Sequence, residues 1–237
     1  MRFLFVLIVS AGFLASCSSL PVPGPIAGRG SSAEAKAVLA RSSARHGNPW
    51  EKYRRVEVSY AGEWSTLATK VQPVITDPDF RKSSTEIYQT RSALVRQLHS
   101  GPKGNKEVVR QKRRIEVKYN GIRSTGREVE DAASLVSDAY TVFLFGPSWL
   151  AERGRDLDLL DDRTLAGERC RLVAGRLSPG FGNSGEDHFI VWIGKESGLM
   201  RRFQFSLNGM ESTRGADVDV KFSEYHEAAD GSVWPGH

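Results

Sequence analysis

Most of the regular patterning along the chain has a period of two residues. Apolar side chains alternate with polar ones in four segments, at Val56, Val58 and Tyr60, at Ile115, Val117 and Tyr119, at Phe203, Phe205 and Leu207, and at Val218, Val220 and Phe222. Asn-Gly, a strong hairpin-turn signal, follows two of these segments, and residues 189–193 add a short apolar run. Strands with one polar and one apolar face are typical of antiparallel sheets.

Helical patterns occupy two other parts of the chain. A first helix is predicted from Ser32 to just before Gly47, followed by one more turn from Pro49. A central helix, capped by Asp131, is predicted to end at Gly146 because apolar residues recur at three-four spacing between them. The order of helix, strands, central helix and strands excludes a regularly alternating α/β fold. It predicts an α+β fold, with an antiparallel sheet covered by a few helices.

The first residues have the pattern of an export signal. Arg2 precedes the apolar run of residues 3–9, and the whole apolar stretch of about 13 residues is shorter than the roughly 20 needed to span a bilayer. Residues 14–17, Leu-Ala-Ser-Cys, resemble the lipobox of bacterial lipoproteins. The resemblance implies cleavage before Cys17 and attachment of diacylglycerol to its sulfur. The alternative is a plain signal peptide with an incidental cysteine.

These features divide the chain into three parts. Residues 1–16 are the predicted lipoprotein signal peptide, and residues 17–31 are the lipidated cysteine with a flexible tether rich in Ser, Pro and Gly. Residues 32–237 form one folded domain. Ser18 stands where an inner-membrane retention signal usually has Asp. In a bacterium with two membranes, the lipoprotein class therefore implies anchoring to the outer membrane, facing the periplasm.

The body resembles the LolA/LolB-like superfamily of lipoprotein-sorting proteins. The resemblance rests on an exported chain of this size, the order of its elements, and residues 191–200, where a strand turns through polar residues and Gly198 into the next strand. It implies a curved half-barrel sheet whose concave apolar face binds lipid or lipoprotein acyl chains under a helical lid. No functional residue transfers, because the resemblance lies in pattern and not in a diagnostic motif.

A set of bulky apolar residues could line such a concave face. These residues also suit a solid core, which is the commoner role of aromatic side chains. The candidates for contact with an acyl chain are Trp64, Phe143, Phe145, Trp149, Trp192, Phe203 and Phe205.

Composition narrows the class of protein. The 237 residues carry 33 Lys+Arg against 28 Asp+Glu, with 26% charged and 40% hydrophobic residues, which is typical of a folded globular chain and not of a disordered or collagen-like one. Two cysteines, Cys17 and Cys170, exclude a disulfide framework and a Cys-rich zinc module. Cys170 is predicted to be a small core residue.

Signals for chemistry are weak. No nucleophile, zinc-protease or P-loop motif is present, so we expect a non-enzymatic protein without cofactor or metal. The ligand-type residues at 186–188 and 226–227 are interpreted as solvated strand ends and turns, with a metal site as the alternative. The acidic residues at 156–162 are interpreted as a solvated turn. The basic cluster at 110–114 suggests anionic lipid headgroups or a charged strand edge, and export makes a nucleic-acid partner unsuitable.

The leading hypothesis is a membrane-anchored periplasmic lipoprotein that binds a lipid or another apolar ligand in a concave sheet. The second is an envelope structural or assembly factor that acts through a protein partner without a ligand cavity. A hydrolase is third, because the sequence lacks any supporting motif.

Overall fold

The computed structural model describes residues 20–26, 31–62 and 64–236. The predicted signal peptide and Cys17 lie outside the described residues. The α+β prediction is confirmed, since open antiparallel sheets are combined with helices in the predicted order. No helix of the described residues has the length and apolar character needed to cross a membrane.

The first half of the chain forms sheet 1, an antiparallel meander. Its six strands neighbour one another in chain order. They are β1 (Val56–Ala61), β2 (Ser83–Gln89), β3 (Leu94–Gly101), β4 (Gly104–Gln111), β5 (Arg114–Tyr119) and β6 (Ile122–Arg123). The sequence pattern predicted only β1 and β5 of these.

The second half forms sheet 2, a five-stranded antiparallel meander. Its strands are β7 (Arg155–Leu165), β8 (Glu168–Leu177), β9 (Asp187–Gly194), β10 (Met200–Leu207) and β11 (Ala216–Lys221), and a small separate hairpin follows with β12 (His226–Glu227) and β13 (Val233–Trp234). The interpretation of residues 156–162 as a solvated turn was wrong. These residues belong to β7, where acidic side chains pair with cations, as in the contact of Asp162 with Arg169 at 3.1 Å.

The described residues contain five α-helices: α1 (Ala33–Arg45), α2 (Pro49–Lys52), α3 (Thr66–Val71), α4 (Pro73–Thr76) and α5 (Arg127–Arg153). Ser32 caps α1, because its hydroxyl accepts the Ala35 N–H at 3.1 Å. His46 fixes the end of α1, with Nδ1 3.0 Å from the Val233 carbonyl oxygen and Nε2 accepting the Met200 N–H at 3.2 Å. Both helix predictions near the N-terminus are confirmed.

Helix α5 lies between the two sheets and is longer than predicted. It begins before Asp131 and continues past Gly146–Pro147, because Gly146 takes φ 46° and ψ −124° and the chain resumes a helical path after this kink. Only glycine adopts that backbone conformation readily. The apolar face of α5 packs on sheet 2, and its other face meets sheet 1.

The space between α5 and sheet 2 is filled. Phe203 and Phe205 are almost fully buried and stack at 5.3 Å between ring centroids, and Phe181 contacts both rings. Residues of α1 and α5, including Leu39 and Val142, complete this core. The inner face of sheet 2 therefore has the packed character of an ordinary protein interior.

Sheet 1 presents a different inner face, which is largely polar. Its buried polar side chains come from β2, β3 and β4 and from Arg81, two residues before β2. They are Arg81, Ser84, Glu86, Gln97, His99, Lys106 and Arg110. Glu86, 0% exposed, accepts hydrogen bonds from Ser84, Tyr88 and Gln97. Lys106 pairs with Asp77 at 2.6 Å. Glu86 and Lys106 thus have the partners that buried polar groups need for stability.

The residues before α1 pack on the outer face of sheet 2. We call residues 20–26 the strap. The Gln204 amide donates to the Pro21 carbonyl oxygen at 3.1 Å, and Ile26 packs on an apolar cluster around Trp192. The chain then continues at the edge of the sheet, where the Ser32 N–H donates to the Leu157 carbonyl oxygen at 2.8 Å.

The kink in α5 gives a first test. Gly146→Ala should lower the free energy of unfolding by about 1–3 kcal/mol, because a side chain there strains the backbone and its Cβ would lie 3.1 Å from Met200 Cε. Gly62→Ala is the control, since a Cβ there meets no atom within 4 Å. Urea unfolding of both variants measures the difference. Equal stability of the two would mean that Gly146 carries no strain.

The buried His99 predicts a pH dependence of stability. Burial, with Arg81 and Lys106 adding to it, lowers the pKa of His99 to about 3. The unfolded chain binds this proton near its ordinary pKa of about 6.5, so the stability is complete above that pH and is lost as the pH falls towards 3. Between pH 7 and pH 5 the free energy of unfolding should decrease by about 2 kcal/mol through His99 alone.

His99→Gln should remove this part of the pH dependence, as measured by urea unfolding at the two pH values. Part of the slope should remain, because burial also lowers the pKa of His46. An unchanged slope in the His99 variant would contradict the prediction.

Candidate functional site: a basic and aromatic cleft

A cleft of about 320 Å³ opens where one end of sheet 1 meets α5 and the start of sheet 2. The β2–β3 and β4–β5 turns form one wall, and α5 and the loop after β8 form the other. Ligand sites typically have volumes of about 300–1,000 Å³, so this cleft can hold a small molecule or part of a larger one.

Basic side chains dominate the polar lining. Five of them face the cleft against a single carboxylate, that of Asp138, and they are Arg110, Lys112, Arg113, Arg153 and Arg155. Three come from the basic cluster that the sequence singled out. The interpretation of that cluster as a strand edge was wrong, because β4 lies inside sheet 1 between β3 and β5.

Arg110 and Asp138 form a fixed ion pair among the basic side chains of the cleft. Arg110 Nε and Nη2 donate to the two carboxylate oxygens of Asp138 at 2.7 and 2.6 Å, and Nη2 also donates to the Gly182 carbonyl oxygen at 3.0 Å. The Gly182 N–H donates to Asp138 at 2.8 Å. Burial raises the pKa of Asp138, and the charge of Arg110 opposes this shift. Arg110 Nη1 is buried and has no hydrogen-bond partner among the described residues.

Aromatic side chains form the apolar part of the cleft. Trp50, Tyr88 and Trp149 line it, and the guanidinium carbon of Arg153 lies 5.9 Å from the centroid of the Trp149 ring. The Trp50 indole N–H donates to Glu152 at 2.8 Å, which fixes this ring beside α5. Cations and apolar rings therefore share one surface, an arrangement that suits a ligand with an anionic and an apolar part.

A second cavity of about 230 Å³ lies at the other end of strands β2 and β3. Arg81 is its central residue, with its guanidinium carbon 5.3 Å from the Trp64 ring centroid and 5.5 Å from that of Tyr140. His99 also lines it. This cavity is smaller than the basic cleft, and the rings of Tyr60, Trp64 and Tyr140 form its apolar part.

The structure places the seven predicted lining residues in four environments. Trp149 lines the basic cleft, and Trp64 lines the second cavity. Phe143, Phe145, Phe203 and Phe205 pack in the core around α5. Trp192 lies on the outer face of sheet 2, with its indole N–H donating to Gln204 at 2.7 Å. Contact of any of these residues with a ligand stays a prediction.

Other sequence candidates have structural roles here. Asp187 is fully buried and accepts the Phe181 N–H at 2.8 Å and the Asn208 N–H at 3.1 Å, so it is no solvated turn. Cys170 is buried on β8, and burial raises the pKa of its thiol to about 11. Within the residues that the structure describes, no three His, Cys, Asp or Glu side chains come together as metal ligands.

Comparisons with known proteins give structural likeness only. No protein-family model and no curated protein matches the sequence. Among solved structures, the chain is similar to lipoprotein LppX of Mycobacterium tuberculosis, at 16% identity and a TM-score of 0.31 over 78% of this chain and 91% of that one. It is similar to LprF of Mycobacterium bovis, at 13% identity and a TM-score of 0.35 over 82% and 93% of the two chains.

A third similar structure is a putative outer membrane lipoprotein-sorting protein domain from Vibrio parahaemolyticus. It has 12% identity and a TM-score of 0.36 over 85% of this chain and 83% of that one. Identities and TM-scores this low assign neither a family nor a function to this chain.

The buried pair in the cleft predicts a large stability effect. Asp138→Ala should lower the free energy of unfolding by about 3–5 kcal/mol, because it leaves the Arg110 guanidinium buried without its counter-charge. The exposed pair of Arg55 and Glu57 is the control, and Glu57→Ala should change stability by less than about 0.5 kcal/mol.

The double variant Arg110→Met/Asp138→Leu separates charge from packing. It should be much more stable than Asp138→Ala in urea unfolding, since no buried charge is left unpaired. Equal damage from the double and single variants would mean that the ion pair is not the cause.

Proposed function

We propose that this chain is an exported, lipid-anchored bacterial protein that binds an anionic amphiphile in the basic and aromatic cleft, without performing chemistry on it. The observation that carries the proposal is the union of five basic side chains with Trp50, Tyr88 and Trp149 around one opening. A lipid with a phosphate or carboxylate head and hydrocarbon tails has this combination of properties. The anchor is Cys17, and the expected location is the outer membrane on its periplasmic side.

The head of the ligand would bind at the basic side chains of the cleft. Guanidinium groups hold phosphate and carboxylate oxygens through paired hydrogen bonds, and such charge-assisted bonds are about twice as strong as neutral ones. Arg110 is held in place by Asp138, and its buried Nη1 still has a donor to offer. Lys112 and Arg113 are exposed at the β4–β5 turn and can adjust to the head.

The apolar part of the ligand would pack against the aromatic residues. Each methylene removed from water contributes about 0.8 kcal/mol. The filled core between α5 and sheet 2 leaves the acyl chain no room there, so the proposal places the tail along Trp149 and Trp50 at the cleft. This differs from the concave-face site that the family resemblance implies.

A surface on α3 favours the second hypothesis, an envelope factor with a protein partner. Leu67 and Val71 are 73% and 62% exposed, and Trp64 beside them is 39% exposed. Such exposed apolar groups often mark an interaction surface. This function needs no ligand in the cleft, so the same experiment distinguishes the two.

Titration with a short-chain anionic phospholipid, followed by calorimetry, tests the proposal. The protein should bind the anionic lipid more tightly than a zwitterionic lipid with the same chains. Lys112→Glu/Arg113→Glu should weaken binding of the anionic lipid roughly tenfold or more, since charged hydrogen bonds contribute about 1.5–3 kcal/mol each.

Lys103→Glu is the matched control, because Lys103 is an exposed cation at the other end of sheet 1 and should leave binding unchanged. Native mass spectrometry of protein purified in mild detergent should also detect a bound lipid, and the intact mass reports the diacylglycerol on Cys17. No binding by the folded protein would favour the envelope factor with a protein partner.

A further inference from the structure

The strap is attached to sheet 2 at several points along its length. Pro21 accepts the hydrogen bond from Gln204 on β10, and Pro23 is buried. Ile26 packs against the apolar cluster of the outer face, which consists of Cys170, Leu172, Ala174, Ile190 and Trp192 with Leu160 and Leu165. The strap therefore crosses from β10 towards β7, and the predicted tether is partly bound to the domain that it was expected to hold at a distance.

The strap has two sides of different exposure. While Pro23 is buried, Leu20 and Val22 are 41% and 68% exposed. Contact with water is unfavourable for exposed apolar side chains such as these. Their transfer from water into the boundary between lipid headgroups and acyl chains lowers the free energy.

The anchor lies close to this surface along the chain. Four residue steps separate Cys17 from Pro21, so a fully extended chain spans at most about 14 Å between them. A lipid attached at Cys17 must therefore hold the Gln204 region of sheet 2 within roughly this distance of the membrane.

The rest of the molecule extends away from that face. Sheet 2, α5 and sheet 1 are stacked in this order, and each packed layer adds about 10 Å. Leu98 and Glu107 lie on the outer face of sheet 1, about 20 Å farther from the strap than the plane of sheet 2.

We propose that the outer face of sheet 2 at the strap is the surface with which the protein faces the lipid bilayer, with Leu20 and Val22 in the headgroup region. Because the strap is bound to sheet 2, only residues 17–20 separate the anchored cysteine from the sheet, and we call this segment the leash. The short leash gives the anchored domain one orientation. This inference rests on the Cys17 anchor of the proposed function, and it is independent of any ligand in the cleft.

Paramagnetic broadening by a gadolinium-chelating lipid tests the orientation. The chain from Cys17 onwards is coupled through the Cys17 thiol to a maleimide phospholipid in nanodiscs, so natural lipidation is not required. Cys170 is fully buried and its thiol stays out of the coupling. Amide signals of Asp219 and Lys221, on the strand beside Gln204, should lose most of their intensity. Signals of Leu98 and Glu107 should keep theirs.

Two insertions of the same Gly-Ser segment provide the decisive comparison. Placed between Ser19 and Leu20, the insertion lengthens the leash and should weaken the broadening of Asp219 and Lys221, since Leu20 and Val22 alone then hold this face at the membrane. Placed between Gly28 and Arg29, it should change nothing, because the bound strap lies between it and the anchor. The amide spectra show in each case that the protein is folded.

Equal effects of the two insertions, or broadening centred on Leu67 and Val71 of α3, would overturn the proposal. A failure of natural lipidation or of lipid binding in the cleft would leave this result unaffected, since the coupling is chemical and no ligand is added. The failures of the two proposals are therefore distinguishable.

Discussion

Helix α5 packs between the apolar inner face of sheet 2 and the polar inner face of sheet 1, and the rest of the structure depends on these two contacts. Towards sheet 2 it presents Ala132, Leu135 and Val142, which complete an aromatic core. Towards sheet 1 it presents Ser137, whose hydroxyl contacts Gln97 at 2.8 Å, and Asp138, which neutralises Arg110. A wholly apolar helix would leave the buried guanidinium of Arg110 unpaired, at a cost of several kcal/mol.

The cleft is a consequence of this arrangement. At the end of α5 near Trp149, the polar layer above the helix and the apolar layer below it reach the surface together. Neither layer closes over the other, because sheet 1 ends at its turns while the helix continues through the kink at Gly146. An opening formed in this way has cations and rings on both walls, with Arg110 and Tyr88 on the side of sheet 1 and Arg153 and Trp149 on the side of α5. Its dual character comes from the architecture and needs no dedicated motif.

The same polarity explains which parts of the fold could be predicted from the sequence. Strands β5, β10 and β11 alternate apolar with polar residues, so their period of two is visible. In β2, β3 and β4 the inward positions hold residues such as Glu86, Gln97 and Lys106, so both faces look polar and the strands were missed. The cleft was missed because its residues come from segments far apart in the chain, and only the cluster at 110–114 gave a local signal.

Composition also predicted the structure of the strap only in part. Pro, Gly and Ser predict a flexible tether because such segments form no periodic apolar face. Yet three prolines, Pro21, Pro23 and Pro25, restrict the backbone before it binds, so that less conformational entropy is lost when the segment packs on sheet 2. Binding then needs only a few contacts, such as those of Ile26 and of the Pro21 carbonyl oxygen. A proline-rich segment can therefore fix the orientation of a domain while its sequence resembles that of a linker.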